Sequence, residues 1–456
     1  MERERLGSRL GFLLLSAGCA IGIGNVWKFP WMTGQYGGGA FVVFYLFFLV
    51  ILGIPVMTVE FSLGRAAQKS PVLLYQQLEP KGTKWHIHGI FAMIGNYVLM
   101  MFYTSVAGWM IQYFVGSATG RFEGMTPDEV GAEFGAVVSS PGGMVGYMAI
   151  VVVIGFFICS FKLDKGVERV NKYMMLALLA IMVILAINSF TMSGAKEGLT
   201  FYLKPDLGRL KEAGVGNVLV GAMNQAFFTL SLGIGSMAIF GSYIGKDRAL
   251  MGESVTVTIL DTFVAIVAGL IIFPACFTHG VEVGAGPSLL FVTLPNVFNS
   301  TPMGRLWGTL FFIFMTFAAM STVLAVFENI ISCCMDVFHW TRKKACAINC
   351  VALFLLSLPC ALGFNVLSGI QPLGEGTGFL DLEDFIVSNL LLPLGSLIFV
   401  LFVTNSKKGW GWDAFRSEAN TGKGIKTPNW IRGYMTYILP IIILAVFIIG
   451  LISYFK

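Results

Sequence analysis

The chain has 456 residues, 56% of them hydrophobic and only 12% charged, with a formal net charge of +5. A soluble domain carries about a quarter charged residues, so this composition excludes one. The modest positive excess is a topology signal rather than a nucleic-acid footprint.

Apolar runs long enough to cross a hydrocarbon core of roughly 30 Å recur along the whole chain, which makes it an all-α polytopic membrane protein. Eleven spans are expected, at about 10–32, 39–63, 88–115, 145–162, 167–190, 217–243, 254–277, 303–336, 345–367, 383–404 and 431–454. Lysine and arginine cluster in the N-terminal segment and in alternate loops, from Arg65 to Lys84, Lys162 to Lys172, Lys246 and Arg248, Arg342 to Lys344 and Lys407 to Arg432. The positive-inside rule puts these on the cytoplasmic side, with the N-terminus. The first apolar run is too long for a cleaved signal and lacks a small-residue cleavage site. The eight cysteines form no outer-loop pair and no CxxC spacing, and read as packing residues. Short tails and unpaired cysteines suit a prokaryotic inner, that is plasma, membrane.

In the first span, Gly18-Cys-Ala-Ile-Gly-Ile-Gly-Asn25 carries glycines at every second position, a rhythm that fits neither helix nor strand. The helix is expected to break between Gly18 and Asn25, freeing backbone groups that need polar partners at membrane depth. The Gly18-x-x-x-Gly22 spacing also suits a helix-packing face. Tyr103 stands in the third span and Gly166 opens the fifth. The sixth breaks likewise at Gln225-Ala-Phe-Phe-Thr-Leu-Ser-Leu-Gly-Ile-Gly235. Paired interruptions in spans one and six point to two inverted five-helix repeats, 1–190 and 217–404, with 431–454 as an additional span. Repeats of this kind form a binding site where they meet, near the bilayer midplane. In the seventh span Asp261 is the lone carboxylate of an apolar run, costly enough there to be paired or functional. The eighth offers Phe317-Ala-Ala-Met-Ser-Thr322, whose hydroxyls either bond back along the helix or serve a site.

Gly24-Asn-Val-Trp-Lys-Phe-Pro30, Gly37-Gly-Gly-Ala-Phe41, Gln225 to Gly235 and Phe291-Val-Thr-Leu-Pro295 resemble the neurotransmitter:sodium symporter family, particularly its bacterial LeuT-like amino-acid transporters. The resemblance runs from Arg3 to the end of span eleven. It implies a LeuT-like fold and sodium-coupled uptake of a small amino acid by alternating access. Two Na+ sites are implied. The inner would use Gly18, Ile21, Ala318, Ser321 and Thr322; the outer Ala20, Asn25, Thr229, Asp261 and the substrate carboxylate. Substrate binding falls to Ala20, Ile23, Gly24, Leu99, Tyr103, Phe228, Thr229, Ser231, Ile234, Thr322 and Val326, an apolar pocket suited to a hydrophobic or aromatic side chain. Gly22 stands where monoamine carriers have an aspartate, so the ligand is expected to bring its own carboxylate. Gates are expected at Lys28 with Asp384 outside and Arg3 with Asp336 inside, the latter near Ser242, Tyr243 and Glu328.

Three positions depart from the family pattern. Leu176 replaces a proline ten residues after Gly166, Asp261 replaces an asparagine, and Lys28 replaces an arginine. Ala265 stands where chloride-dependent relatives have an anion-binding serine, so Asp261 is expected to supply the negative charge and make transport chloride-independent. A channel or a non-transporting amino-acid sensor on the same fold is the alternative. An intramembrane enzyme is not expected, because no histidine lies mid-span and neither HExxH nor GxSxG is present.

Overall fold

The computed structural model describes residues 6–280 and 288–454. Nine helices among them are long and apolar enough to cross a membrane. In chain order with two broken elements they are α1a (Arg9–Ala20), α1b (Gly24–Gln35), α2 (Gly39–Ala67), α3 (His86–Thr119), α4 (Pro141–Cys159), α5 (Val167–Phe190), α6a (Val215–Thr229), α6b (Ser236–Gly241), α7 (Leu250–Thr278), α8 (Gly304–Phe338), α9 (Arg342–Leu362), α10 (Phe379–Thr404) and α11 (Ile431–Ile452). The halves of α1 meet at 50°. Neither half of α6 is long enough to cross alone. Of the eleven expected spans, nine are continuous helices among the described residues and the first is a bent pair that together has the length of one span, whereas the expected sixth is present as the two short helices α6a and α6b.

Boundaries differ where local chemistry outruns hydropathy. α4 begins at Pro141, four residues before the expected 145, because proline suits a first turn and Ser140 Oγ accepts from Gly143 N at 3.3 Å. α9 ends at Leu362 rather than 367, where Gly363 closes the last turn.

Long α8 runs through the centre and packs on α1a, α3, α4, α5 and α9. α6b lies directly on α2, for a Cβ on Gly64 would stand 1.8 Å from Ala238 O and one on Gly241 2.4 Å from Phe61 O. Small residues let the two backbones touch. α5 holds α1a in a similar way: Glu168 Oε2 accepts from Gly7 N at 2.9 Å, and a Cβ on Gly11 would meet Glu168 Oε1 at 1.8 Å. One turn on, Asn171 Nδ2 donates to Leu14 O at 2.7 Å.

On this same face the short helix Trp412–Ala419, its Trp412 and Phe415 buried, straps the loop after α10 to two earlier parts of the chain. Arg65 at the end of α2 is wholly buried and donates from Nε to Glu418 Oε1 at 2.6 Å, from Nη1 to Arg248 O at 2.7 Å and from Nη2 to Glu418 O. Lys423 N bonds Asp247 O at 2.9 Å and Ala249 N bonds Lys423 O at 3.0 Å, a single parallel bridge in a structure otherwise free of strand pairing among the described residues.

Candidate functional site

α1a ends at Ala20 and Ile21 swings to an extended conformation, φ −72° and ψ 100°. The carbonyls set loose are met from α8. Ser321 Oγ lies 3.1 Å from Ile21 O and 2.9 Å from Ala318 O; Thr322 Oγ1 lies 3.3 Å from Gly18 O and 3.4 Å from Ile21 O. Gly18, Ile21, Ala318, Ser321 and Thr322 therefore converge through oxygen atoms alone, all buried. That is the donor set a hard cation prefers. Among the described residues no group of three or more histidines, cysteines or carboxylates is placed to hold a metal.

A second oxygen cluster forms on the other side of the break. Asn25 Oδ1 accepts from Gly22 N at 3.0 Å, and its Nδ2 donates to Asp261 Oδ1 at 2.7 Å. Thr229 Oγ1 donates to Asp261 at 3.1 Å, and Tyr45 Oη lies 3.4 Å from Asp261 Oδ2. Asp261 is fully buried with polar hydrogen on both oxygens, and Ala265 one turn on is buried as well. The carboxylate expensive in an apolar helix thus has its partners, and they come from α1b, α2 and α6a.

The break in α6 follows from left-handed residues: Ser231 has φ 51°, Gly233 φ 94° and Gly235 φ 73°. Its loose groups are satisfied by side chains. Glu60 Oε1 accepts from Gly233 N at 2.6 Å, Asn96 Nδ2 donates to Ile234 O at 2.9 Å, and Ser231 Oγ donates to Cys19 O at 3.1 Å. Gln225 Nε2 donates to Gly24 O at 2.8 Å, joining the two breaks.

Between the breaks lies a cavity of about 10 Å³, room for roughly one water molecule. Of the expected substrate set, Ala20, Gly24, Leu99, Tyr103, Phe228, Ser231, Ile234 and Thr322 line it. Ile23 is adjacent through its amide, which donates to Tyr103 Oη at 2.9 Å; Thr229 belongs to the Asp261 cluster, and Val326 is buried in α8 outside the lining. Cys19 and Leu392 also line the cavity and carry no sequence signal, Leu392 arriving only because α10 crosses beneath Gly233. A Cβ on Gly22 would stand 2.2 Å from Tyr103 Oη and 2.3 Å from Thr322 Oγ1, so no side chain fits there.

Both mouths are closed by ion pairs. Lys28 Nζ lies 2.7 Å and 2.9 Å from the two oxygens of Asp384, 2.9 Å from Ser388 Oγ and 4.1 Å from the Phe228 ring centroid. At the opposite face Arg342 pairs with Glu328 at 2.7 Å, and Tyr243 Oη donates to Glu328 at 2.7 Å. Arg9 pairs with Glu253 at 3.0 Å. Arg3 lies outside the described residues; Asp336 accepts from Ser70 N at 2.7 Å. The pairing of Glu328 with Arg342, across the turn between α8 and α9, was not part of the expected gate.

Comparison with known proteins gives one consistent result. The model of the Sodium:neurotransmitter symporter family matches residues 3–126 and 132–456. An uncharacterized sodium-dependent transporter of Bacillus subtilis is 32% identical over 98% of both chains. A sodium-dependent serotonin transporter of Drosophila melanogaster is 26% identical over 99% of this chain and 77% of its own length. The crystal structure of MhsT in complex with L-phenylalanine superposes with a TM-score of 0.89 at 36% identity, covering 98% of this chain and all of that one.

Proposed function

The chain belongs to the Sodium:neurotransmitter symporter family, whose members are sodium-coupled membrane transporters and not enzymes, and from that premise we propose that it takes up a hydrophobic or aromatic amino acid with sodium by alternating access, independently of chloride. The observation that carries this reading is the pair of buried oxygen clusters on either side of the Tyr103 cavity, one neutral and one built around Asp261. In it, Gly18, Ile21, Ala318, Ser321 and Thr322 hold an inner sodium ion, while Ala20, Asn25, Thr229 and Asp261 hold an outer one. The repeats 1–190 and 217–404 rock about this site. The N-terminus faces the cytoplasm of a prokaryotic inner membrane, so Lys28 and Asp384 form the outer gate, and the pairs at Glu328 and Asp336 the inner.

Tyr103 Oη and the amides of Ile23 and Gly24 receive the substrate carboxylate, aided by the N-terminal end of α1b. The filled space at Gly22 supports a ligand that brings its own carboxylate, since a protein carboxylate at that position has no room. Leu99, Phe228 and Ile234 favour an apolar side chain. L-phenylalanine, the ligand in the MhsT crystal structure, is the natural probe.

The carboxylate shared with the outer ion couples the two ligands. Sodium should tighten phenylalanine binding to the purified protein, and phenylalanine should tighten sodium by the same factor. Phenethylamine, which lacks the carboxylate, should bind far more weakly. Equal phenylalanine affinity in sodium and in potassium would sink the proposal.

A further inference from the structure

Glu383 lies near the start of α10, just past its first turn and one residue before Asp384, and is 3% exposed. Neither of its carboxylate oxygens has a nitrogen or oxygen partner. From α9 the fully buried Cys360 thiol faces it, with Ser105 of α3, itself lacking a partner for its hydroxyl, beyond that thiol. On its own turn stand Asp381, exposed, and Asp384, engaged by Lys28 of α1b. Tyr454 of the last helix lies toward Asp381 and Asp384. No lysine, arginine or histidine among the described residues pairs with Glu383.

An ionised carboxylate in that place would have only the weak Cys360 thiol as donor and no cation to offset its lost hydration, a cost well above that of holding a proton. The same six-residue turn, Phe379–Asp384, carries the gate carboxylate. Were Asp384 to part from Lys28, that helix segment would be free to shift and water could reach Glu383.

We propose that Glu383 is a proton site tied to the outer gate, holding a proton from the external water while Lys28 and Asp384 are joined and returning it there when they part. This rests on the reading of that pair as the outer gate. External acidity then favours the closed gate, and the proton is neither carried across nor exchanged for sodium.

The test is infrared difference spectroscopy on the full chain in detergent near neutral pH. Wild type minus Glu383→Gln should show the C=O band of a protonated carboxyl. The same subtraction in an Asp384→Ala background should lack it until the pH is lowered. No protonated band in the first subtraction overturns the proton site, and an equal band in both overturns its tie to the gate. Glu383→Gln should elute and melt as wild type does, since the amide keeps the shape of the acid. Sodium-dependent binding of L-phenylalanine supplies a second readout. Wild-type affinity should fall as pH rises, by at most tenfold per unit, while Glu383→Gln stays flat; a flat wild type refutes the linkage. Failure of both proteins to bind phenylalanine at any pH would count against the substrate assignment, and the spectra would still decide the proton site.

Discussion

At the scale of single residues, Asp261 concentrates the most chemistry in the fewest atoms. Its carboxylate receives Asn25 and Thr229 directly, with Tyr45 within reach, and no lysine or arginine comes near among the described residues. Two sodium ions and a zwitterion would bring net positive charge into this low-dielectric site, and a fixed carboxylate offsets part of it. Asp261→Asn should lower sodium affinity by about tenfold or more, ~1.4 kcal/mol, as measured by sodium titration of phenylalanine binding. Adding Ala265→Ser should restore activity only when chloride is present. Uptake by the unmutated protein should be equal in chloride and in gluconate, and a strong chloride requirement would refute the assignment. Asp261 was legible in the sequence because a charge in an apolar helix advertises itself. Cys19 and Leu392 were not, since each reaches the cavity through a backbone turn or a helix crossing that leaves no mark on composition.

At the scale of elements, α1a is held by α5 at glycines. Gly11 gives up its side chain to the Glu168 carboxylate, and Gly18 gives up its own to Asn171, 2.6 Å from where a Cβ would stand. Gly11→Ala should destabilise the protein by ~1–3 kcal/mol, the usual cost of overpacking, seen as a lower melting temperature in detergent. In a Glu168→Ala background the same change should cost little. The two must therefore couple in a double-mutant cycle, and additive effects would show that the close approach is not what holds the helices. α5 itself runs unbroken from Val167 to Phe190. The leucine at 176, where the family pattern has a proline, accords with that. The breaks in α1 and α6 were legible from their glycines read as a pair, since Gly18-x-x-x-Gly22 by itself suits a helix-packing face equally well. The left-handed Ser231 was not, because serine carries no signal for that conformation as glycine does.

At the scale of the whole molecule, the two mouths are closed by chemically different locks. One is a lysine with no fork, steadied by Ser388 and by the Phe228 face; the other, at the opposite face, is an arginine that grips both oxygens of Glu328 at 2.7 Å and 2.9 Å. Lys28→Ala should leave sodium binding intact and speed phenylalanine release by about tenfold, ~1.4 kcal/mol, in filter-binding chase experiments. An unchanged release rate would return Lys28 to the status of a solvated charge. The span count and both breaks were readable because hydropathy and glycine periodicity are local signals. Glu328 was named beside the expected gate but its partner Arg342 was not, because the two are joined across a turn whose geometry no periodicity encodes.

The strap beneath α2 has a consequence for biosynthesis. Arg65 and its partner Glu418 are 353 residues apart in the chain. At 5 to 20 residues per second, Glu418 leaves the ribosome on the order of 20 to 70 s after Arg65. Through that interval the guanidinium has water or lipid phosphate in place of its carboxylate, and the loop 245–249 has no Lys423 to bridge. The face that carries Arg65 and Lys423 is thus the last part of the nascent protein to set, and a ribosome stalled before Lys423 would leave that side unfastened.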